Sequence, residues 1–338
     1  MQESAIHPII YVRGYAMSQD EIENTVADPY MGFNIGSSKM RQLWDGKVKK
    51  YFFESPLVRL LKTYKYDDVY EEGLDRVADA ASLDPAEAKV PVPYRSIVIY
   101  RYYEPSSEDL GTGQKPDMKR FATGLGQLIL DLRDRIYPQG AQTVITPEQE
   151  EKGKLPYDQF RVYLVAHSMG GLVCRSAAYR AVEDRMSWVK NVSHVVSLGT
   201  PHRGAPLEEI VHVGSAALTA MPETQPVARF LRRRSGGIRD LRRGSLVDED
   251  WQDRDPDALR AAACKEIPLL DGAKHCFVSA SLTRSPRNPL GRLIGDMLVL
   301  GSSAAPWREE EAFHLSGANH FALLNHPQVY ERLREWLA

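Results

Sequence analysis

The stretch VAHSMGG, residues 165–171, places one serine among an alanine and two glycines, directly after an apolar run that ends at Val165. A strand that ends at Ser168 and continues into a helix after about two residues forces the serine backbone towards a positive φ, and its Oγ then projects above the carboxyl edge of the sheet. Side chains two positions before and after would collide unless they were small, which accounts for Ala166 and Gly170. The alternative is an ordinary strand-to-helix turn that happens to contain a serine.

The helix that follows would add electrostatic stabilisation beside this serine. The N–H of Met169 and the positive end of the helix dipole would both be available to a developing oxyanion. Gly171 would let the helix pack closely against its neighbours. The common form of such a turn is G-x-S-x-G, and here Ala166 takes the place of the first glycine.

Short apolar runs alternate along the chain with longer segments of helical periodicity. The runs predict strands at Pro8–Val12, Ser96–Arg101, Arg161–Val165, Ser193–Leu198, His275–Ser281 and Ala312–Leu315. The periodic segments predict helices at Ser55–Thr63, Met118–Ile136, Gly170–Val182 and His326–Leu337. Continuously apolar strands are typical of burial on both faces. We therefore expect an α/β fold with a mostly parallel central sheet flanked by helices.

Two segments interrupt this alternation. The first, 17–94, is long and loop-rich and belongs to the first part of the core, 1–204. The second, 205–273, is apolar at 210–221 and then carries an arginine cluster and an acidic run. It lies between two predicted strands, so we expect a cap or lid insertion over one end of the sheet, with 274–338 completing the core. Its arginines fit a solvated face neutralised by the acidic run, or a contact with an anionic surface.

Composition excludes several classes of protein. The 338 residues are 43% hydrophobic and 26% charged, as in soluble globular proteins, and a net charge of −2 argues against a nucleic-acid partner. Three scattered cysteines suit neither a disulfide framework nor a metal site. We expect no metal and no other cofactor. We also expect no stable membrane insertion, because no apolar run approaches the roughly 18 residues that a membrane helix needs. The start of the chain lacks signal-peptide features, so the expected location is cytoplasmic; the oligomeric state stays open.

The quoted motif has companions in a fixed order along the chain. VAHSMGGL is followed by LGTPHRGAP at 198–206, and YVRGYA at 11–16, GDMLVLGSSA at 295–304 and GANHFALLNHP at 317–327 complete the series. This series resembles the α/β-hydrolase superfamily, specifically its bacterial lipase and esterase branch, some members of which carry alanine at the first elbow glycine. The resemblance spans nearly the whole chain and implies an α/β-hydrolase fold with a cap or lid insertion. Segments 17–94 and 205–265 match nothing in that family.

The resemblance implies a triad in the order serine, acid, histidine. A serine hydroxyl is a weak nucleophile and needs a base within hydrogen-bond reach. Among nine histidines, His320 in GANHF follows the last predicted strand and is the expected base. The alternatives are His326 at a helix start, His314 inside a strand, His167 in the elbow and His202 in the turn after its strand.

The expected acid is Asp296, which matches the loop position where family members carry the triad aspartate. It precedes the expected base by 24 residues in the printed sequence, so the two could meet across one strand and its loop. Asp271 and Asp253 are the alternatives, and under them Asp296 would be a surface-loop residue.

The oxyanion hole is expected to consist of two backbone N–H groups, those of Met169 and Tyr15. Family members usually read H-G in the loop after the first core strand, whereas this chain reads Arg13-Gly14-Tyr15. The change leaves the Tyr15 N–H in place, because the donor is a backbone group.

Together these residues predict a serine carboxylic-ester hydrolase, esterase-like or lipase-like, that works through an acyl-enzyme. Its expected partner is a small-molecule ester or lipid, with a short- to medium-chain acyl or aryl group. An acyltransferase or amidase could use the same triad, and a catalytically silent binding protein could keep the same fold.

Overall fold

The fold was analysed in a computed structural model of the chain. It describes residues 7–14, 37–42, 48–53, 56–71, 74–100, 102, 118–204, 246–247, 250, 265–281, 283, 304, 311–318, 320–324 and 326–337. The predicted cap insertion therefore lies almost entirely outside the described residues.

Eleven strands and five α-helices are present in the described part of the chain. The strands are β1 (Ile9–Val12), β2 (Ser37–Gln42), β3 (Val48–Phe53), β4 (Asp67–Asp68), β5 (Tyr70–Glu71), β6 (Leu74–Asp75), β7 (Ser96–Tyr100), β8 (Val162–His167), β9 (Val192–Leu198), β10 (Lys274–Ser281) and β11 (Ala312–Ser316). The helices are α1 (Pro56–Tyr64), α2 (Met118–Ile136), α3 (Pro147–Glu151), α4 (Met169–Glu183) and α5 (Pro327–Leu337).

Seven of these strands form one sheet in the order β11-β10-β9-β8-β1-β7-β4. Every pairing within it is parallel. Strand β8 lies at the centre between β1 and β9, so that Ile10 of β1 pairs with Leu164 on one side and with Val98 on the other. Because all seven strands point the same way, their carboxyl ends meet at one edge.

The predicted α/β class is confirmed, and each of the six predicted strands and four predicted helices is present with shifts of one or two residues at its ends. Strand β8 extends to His167, and α4 begins at Met169. Segment 17–94, predicted to be loop-rich, also contains the β2–β3 hairpin and the two-residue strand β4. Strand β4 adds a seventh strand to the sheet. The sequences of β2 (SSKMRQ) and β4 (DD) give no apolar run to detect, and the apolar end of β3 (VKKYFF) is short.

Apolar side chains cover both faces of the sheet. Ile10 and Val12 point into a core cluster that α2 and α4 complete, whereas Ile9 and Tyr11 point into a second cluster shared with α1 and α5. This alternation explains why the strand sequences are apolar without interruption. Each fully buried aliphatic side chain contributes about 1.5–3 kcal/mol relative to an exposed one. None of the helices in the described ranges is long and apolar enough to cross a membrane.

A carboxylate completes the sheet at its β4 side, where β4 pairs only with the first two residues of β7. Further along β7, the N–H of Ile99 donates to Oδ2 of the fully buried Asp75 at 2.8 Å. The Oδ1 of Asp75 accepts from the N–H groups of Val77 and Ala78, also at 2.8 Å. Burial raises the pKa of Asp75 to about 6, and these three N–H groups act in the opposite direction. The side chain thus occupies an edge that a longer β4 would have paired.

We predict that Asp75→Asn lowers the free energy of unfolding by about 1–3 kcal/mol at pH 7.5, because one of three buried N–H groups must face an amide NH₂ instead of an oxygen. Urea unfolding followed by circular dichroism measures the change. The control is Asp84→Asn, whose exposed side chain accepts from the Ala86 N–H at 2.9 Å and which should stay within about 0.5 kcal/mol of the parent. Equal effects at the two positions would contradict the edge role.

Candidate active site

The serine of the quoted motif lies in a one-residue connection between β8 and α4. Its backbone has φ 53° and ψ −125°, and it is one of three non-glycine residues with positive φ among those described. Its N–H donates to the carbonyl of Leu198 at 2.9 Å, and its own carbonyl accepts from Gly171 at 3.2 Å. The Ser168 hydroxyl does not cap α4, and the residue is partly exposed. The predicted tight turn is therefore confirmed, with its side chain presented at the carboxyl edge.

Small residues around the elbow are required by close approach of its neighbours. A Cβ on Gly170 would overlap the carbonyl oxygens of Val12 and Arg13, and one on Gly171 would overlap the side chain of Thr200. Ala166 is fully buried. The prediction that these positions need small residues is confirmed, since β1 and the turn after β9 leave no space for larger side chains.

The end of β1 packs directly on the elbow. A Cβ on Gly14 would lie 2.8 Å from Nδ1 of His167 and 3.0 Å from Cβ of Ser168. Tyr15, which follows Gly14, lies outside the described residues, so its predicted oxyanion role stays a prediction. The other predicted donor, Met169, is the first residue of α4 and is buried.

Arg13 lies beside this glycine at the end of β1. Its side chain is 1% exposed, and its positive charge opposes the strong rise in the pKa of Tyr102 that burial causes. The chain therefore places a buried guanidinium where family members usually carry a histidine.

The predicted base, His320, lies near the elbow on the side of β9, opposite the end of β1. It is the first residue of a short 3₁₀ turn, His320–Leu324, and is only 2% exposed. Its ring centroid is 4.7 Å from that of His167, with the two ring planes tilted by 43°. A Cβ on Gly199, which follows β9, would lie 3.0 Å from its Nδ1 and Cε1. Ser168 and His320 thus lie at the same edge of the sheet, and His320 contacts the residue that precedes Ser168.

The loop that carries His320 is fixed to the end of β10. The N–H of Gly317 donates to the carbonyl of Thr283 at 3.0 Å, and that of Ala318 to the carbonyl of Ser281 at 2.9 Å. Below them, the two ring nitrogens of His314 make hydrogen bonds with the hydroxyls of Ser279 and Ser281, at 2.9 and 3.0 Å. These bonds lock β11 to β10 and so determine where the loop begins.

The remaining histidine candidates are occupied elsewhere. His314 makes the two serine contacts within the sheet, and His326 accepts at Nδ1 from the N–H of Gln328 at 3.2 Å, at the start of α5. His202 is buried in the turn after β9, with its ring 5.4 Å from that of Phe277. His167, predicted to leave the turn in another direction from Ser168, packs against His320, a contact that depends on the fold and has no signal in the sequence.

The acid is not located by the described residues. Asp296 and Asp253 both lie outside them, so Asp296 stays a prediction. The segment that contains Asp296 leaves β10 at the carboxyl edge of the sheet and returns to the start of β11 at the amino edge. Asp271 immediately precedes β10 and lies at the amino edge. Eight strand residues separate the two edges, about 26 Å at ~3.3 Å per residue, so Asp271 cannot reach His320.

Burial keeps two histidines of this region, His167 and His202, neutral. Burial lowers the pKa of His167 well below its usual value, the neighbouring His320 lowers it further, and an interaction with the His320 backbone acts in the opposite direction. Burial likewise lowers the pKa of His202, with a smaller contribution from Arg175. Within the described ranges, no group of three or more His, Cys, Asp or Glu side chains could hold a metal ion.

Residues 145–251 match the family model described as "PGAP1-like alpha/beta domain". The matched range contains β8, Ser168, α4 and β9, which form the strained elbow and the centre of the parallel sheet. The match covers less than half of the chain, so the similarity to this family concerns the centre of the sheet and the elbow. The fold is of the α/β-hydrolase type, with the strained serine turn after the central strand β8 and the His320 loop after the last strand β11.

Solved structures similar to this chain include a Bacillus licheniformis lipase in its mature form (14% identity, TM-score 0.46, covering 100% of this chain and 94% of that one). A putative cell surface hydrolase from Lactobacillus plantarum WCFS1 has 11% identity and a TM-score of 0.34, over 99% and 92% of the two chains. A Staphylococcus hyicus lipase has 14% identity and a TM-score of 0.27, over 67% and 88%. No curated protein sequence matches the chain significantly. Similarity at this level assigns no reaction.

We predict that Gly199→Ala destabilises the protein by about 1–3 kcal/mol more than Gly140→Ala does, because the added methyl group overpacks against His320 and Leu323. Both glycines have similar positive φ, 60° and 56°, so both variants share the left-handed backbone strain of about 1–2 kcal/mol. Only at Gly199 would the new Cβ meet other atoms, since none lies within 4 Å at Gly140. Thermal unfolding of the two variants measures the difference; equal shifts would contradict the described packing of the His320 turn.

Proposed function

We propose that the protein is a serine hydrolase that cleaves carboxylic esters through an acyl-enzyme, with Ser168 as nucleophile, His320 as base and Asp296 as acid. The observation that carries this proposal is the strained elbow, with Ser168 at φ 53° between β8 and α4 and the His320 ring packed against the adjacent His167. Positive φ at a non-glycine residue costs about 1–3 kcal/mol and is typical of functional sites.

In the first half of the reaction, Ser168 Oγ attacks the ester carbonyl carbon while His320 takes the hydroxyl proton. The tetrahedral oxyanion accepts hydrogen bonds from the N–H groups of Met169 and Tyr15 at the positive end of α4. Collapse breaks the bond to the alcohol oxygen, which receives the proton from His320. Water then attacks the acyl-enzyme in the same way and releases the acid and the free serine.

Asp296 would accept a hydrogen bond from the Nδ1–H of His320. That bond would select the tautomer whose other nitrogen accepts the serine proton and would stabilise the imidazolium formed during the reaction. The connection from β10 to β11 starts at the edge where His320 lies, which supports this assignment.

The insertion after β9 supports an apolar acyl or aryl group as the substrate moiety. It leaves the core after Gly204, at the edge where Ser168 lies, and continues into the apolar stretch 210–221, which is outside the described residues. Its base is anchored on α4, because the guanidinium of Arg175 donates to the carbonyls of His202, at 3.4 Å, and Ile267, at 2.9 Å. An apolar segment that starts here is well placed to line a pocket for a small-molecule ester or lipid.

We predict that Ser168→Ala and His320→Ala each lower kcat/KM for p-nitrophenyl esters by about 10⁴–10⁶-fold, since triad members act as a unit. A fluorophosphonate probe should label the parent enzyme at Ser168 and leave Ser168→Ala unlabelled. His326→Ala, which removes the contact with the Gln328 N–H at the start of α5, should keep most of the activity. More than a few per cent residual activity in Ser168→Ala would contradict the proposal, and a parent enzyme that reacts with neither probe nor ester would favour a silent binding protein.

We predict that p-nitrophenyl esters from butyrate to octanoate are better substrates than acetate. Burial of each methylene is worth about 0.8 kcal/mol, so kcat/KM should rise up to about fourfold per methylene until the pocket is full. Val213→Asp and Leu218→Asp should remove this preference and spare some acetate activity.

The control for the chain-length series is the melting temperature of each variant. If 210–221 is a core helix instead of a pocket wall, the aspartate variants lose stability before they lose the preference. A flat profile in the folded parent enzyme would contradict the acyl pocket. Product analysis with added alcohol or amine separates a hydrolase, which forms the free acid, from an acyltransferase, which forms the new ester or amide.

A further inference from the structure

His167 occupies the space between the end of β1 and the predicted base. It is the last residue of β8, and its side chain is 2% exposed. On one side the ring approaches Gly14 so closely that a Cβ there would lie 2.8 Å from its Nδ1. On the other side its centroid is 4.7 Å from that of His320. The ring is therefore held between a strand end and the His320 ring.

The orientation of the His320 ring depends on what surrounds it. The last side-chain torsion of histidine is broad, so bonded geometry alone does not select a ring plane. Two of its neighbours are Gly199, which lies beside its Nδ1 and Cε1, and His167, which lies against it with the planes 43° apart. Gly199 has no side chain, which leaves His167 as the larger of these two contacts.

The charge of His167 suits a contact with a base. Burial, followed by the His320 imidazole, lowers the pKa of His167 well below its usual value. His167 is therefore neutral at neutral pH, and it can stay in contact while His320 carries a proton during the reaction. A second cation at this distance would oppose that protonation.

We propose that His167 is a positioning residue, whose ring is a neutral wall that holds the His320 imidazole in the plane required for proton transfer with Ser168. The kinetic part of this inference rests on the proposed function. The positioning itself is a property of the fold and has a readout that needs no substrate.

The test uses His167→Ala, His167→Phe and His167→Asn. Removal of the wall in the alanine variant should lower kcat by about 10–100-fold with little change in KM, since misplacement of a catalytic group by about 1 Å has an effect of this size. Phenylalanine restores a neutral ring and should return kcat to within about fivefold of the parent, whereas asparagine, which is polar but has no ring, should not. Asparagine restoring kcat better than phenylalanine would overturn the proposal, because it would assign the role to a hydrogen bond.

Side-chain NMR of His320 provides the readout that needs no activity. In the parent the His320 ring signals should show one conformation, and in His167→Ala they should broaden or split as the ring samples several planes. The matched control is His202→Ala, which removes an equally buried histidine from the turn after β9 without touching His320. Unchanged His320 signals in a folded His167→Ala would overturn the proposal. A parent that shows ordered His320 signals but hydrolyses no ester would instead refute the proposed function alone.

Discussion

A connection of a single residue between β8 and α4 is the constraint on which the site depends. With no loop to absorb the change of direction, Ser168 must adopt a positive φ, and the first turn of α4 must lie directly over the end of β1. That overlap excludes side chains at Gly170 and Gly171. The backbone strain at Ser168 is held in place by β8, which is the central strand, paired on both sides and buried on both faces. The same packing directs the serine hydroxyl away from the helix and towards the open edge.

The other half of the site comes from distant parts of the chain. Gly14 follows β1, Gly199 follows β9, and His320 follows β11, yet all three lie around the elbow because parallel strands end at the same edge. Gly14 and Gly199 leave the space that the imidazole rings of His167 and His320 occupy. The hydrogen bonds between the end of β10 and the loop after β11 determine where the His320 loop begins. The geometry of the predicted base is thus a property of four strand ends and cannot be assigned to any single loop.

The sequence predicts the central strands and the long helices well, because continuous apolar runs and 3.6-residue periodicity survive without knowledge of the fold. It also predicts the elbow, since steric crowding there restricts residue size at Ala166, Gly170 and Gly171. It does not predict β4 or the role of Asp75, because a carboxylate that receives the N–H of Ile99, 24 positions later in the chain, leaves no periodic signal. The contact between His167 and His320 is invisible for the same reason. Asp296 and Tyr15 are assigned only through resemblance to a family, and both fall outside the described residues.

The two hydrogen bonds that Arg175 makes across the base of the insertion have a consequence for how far this region can vary in length and composition. One guanidinium holds the carbonyls of His202 and Ile267, so the insertion begins and ends at a fixed separation on α4. For a chain segment closed at its base, the entropy of closure grows only with the logarithm of its length, about 0.6 kcal/mol for each doubling. Leu246 and Val247 pack into the core, and the Ser176 hydroxyl of α4 donates to the Leu246 carbonyl at 2.7 Å, so segments of quite different length and composition could be exchanged only between Gly204 and Leu246. The elbow is thus separate from the segment after Gly204, which would contact the substrate under the proposed function. That segment could change in sequence while the elbow stays the same.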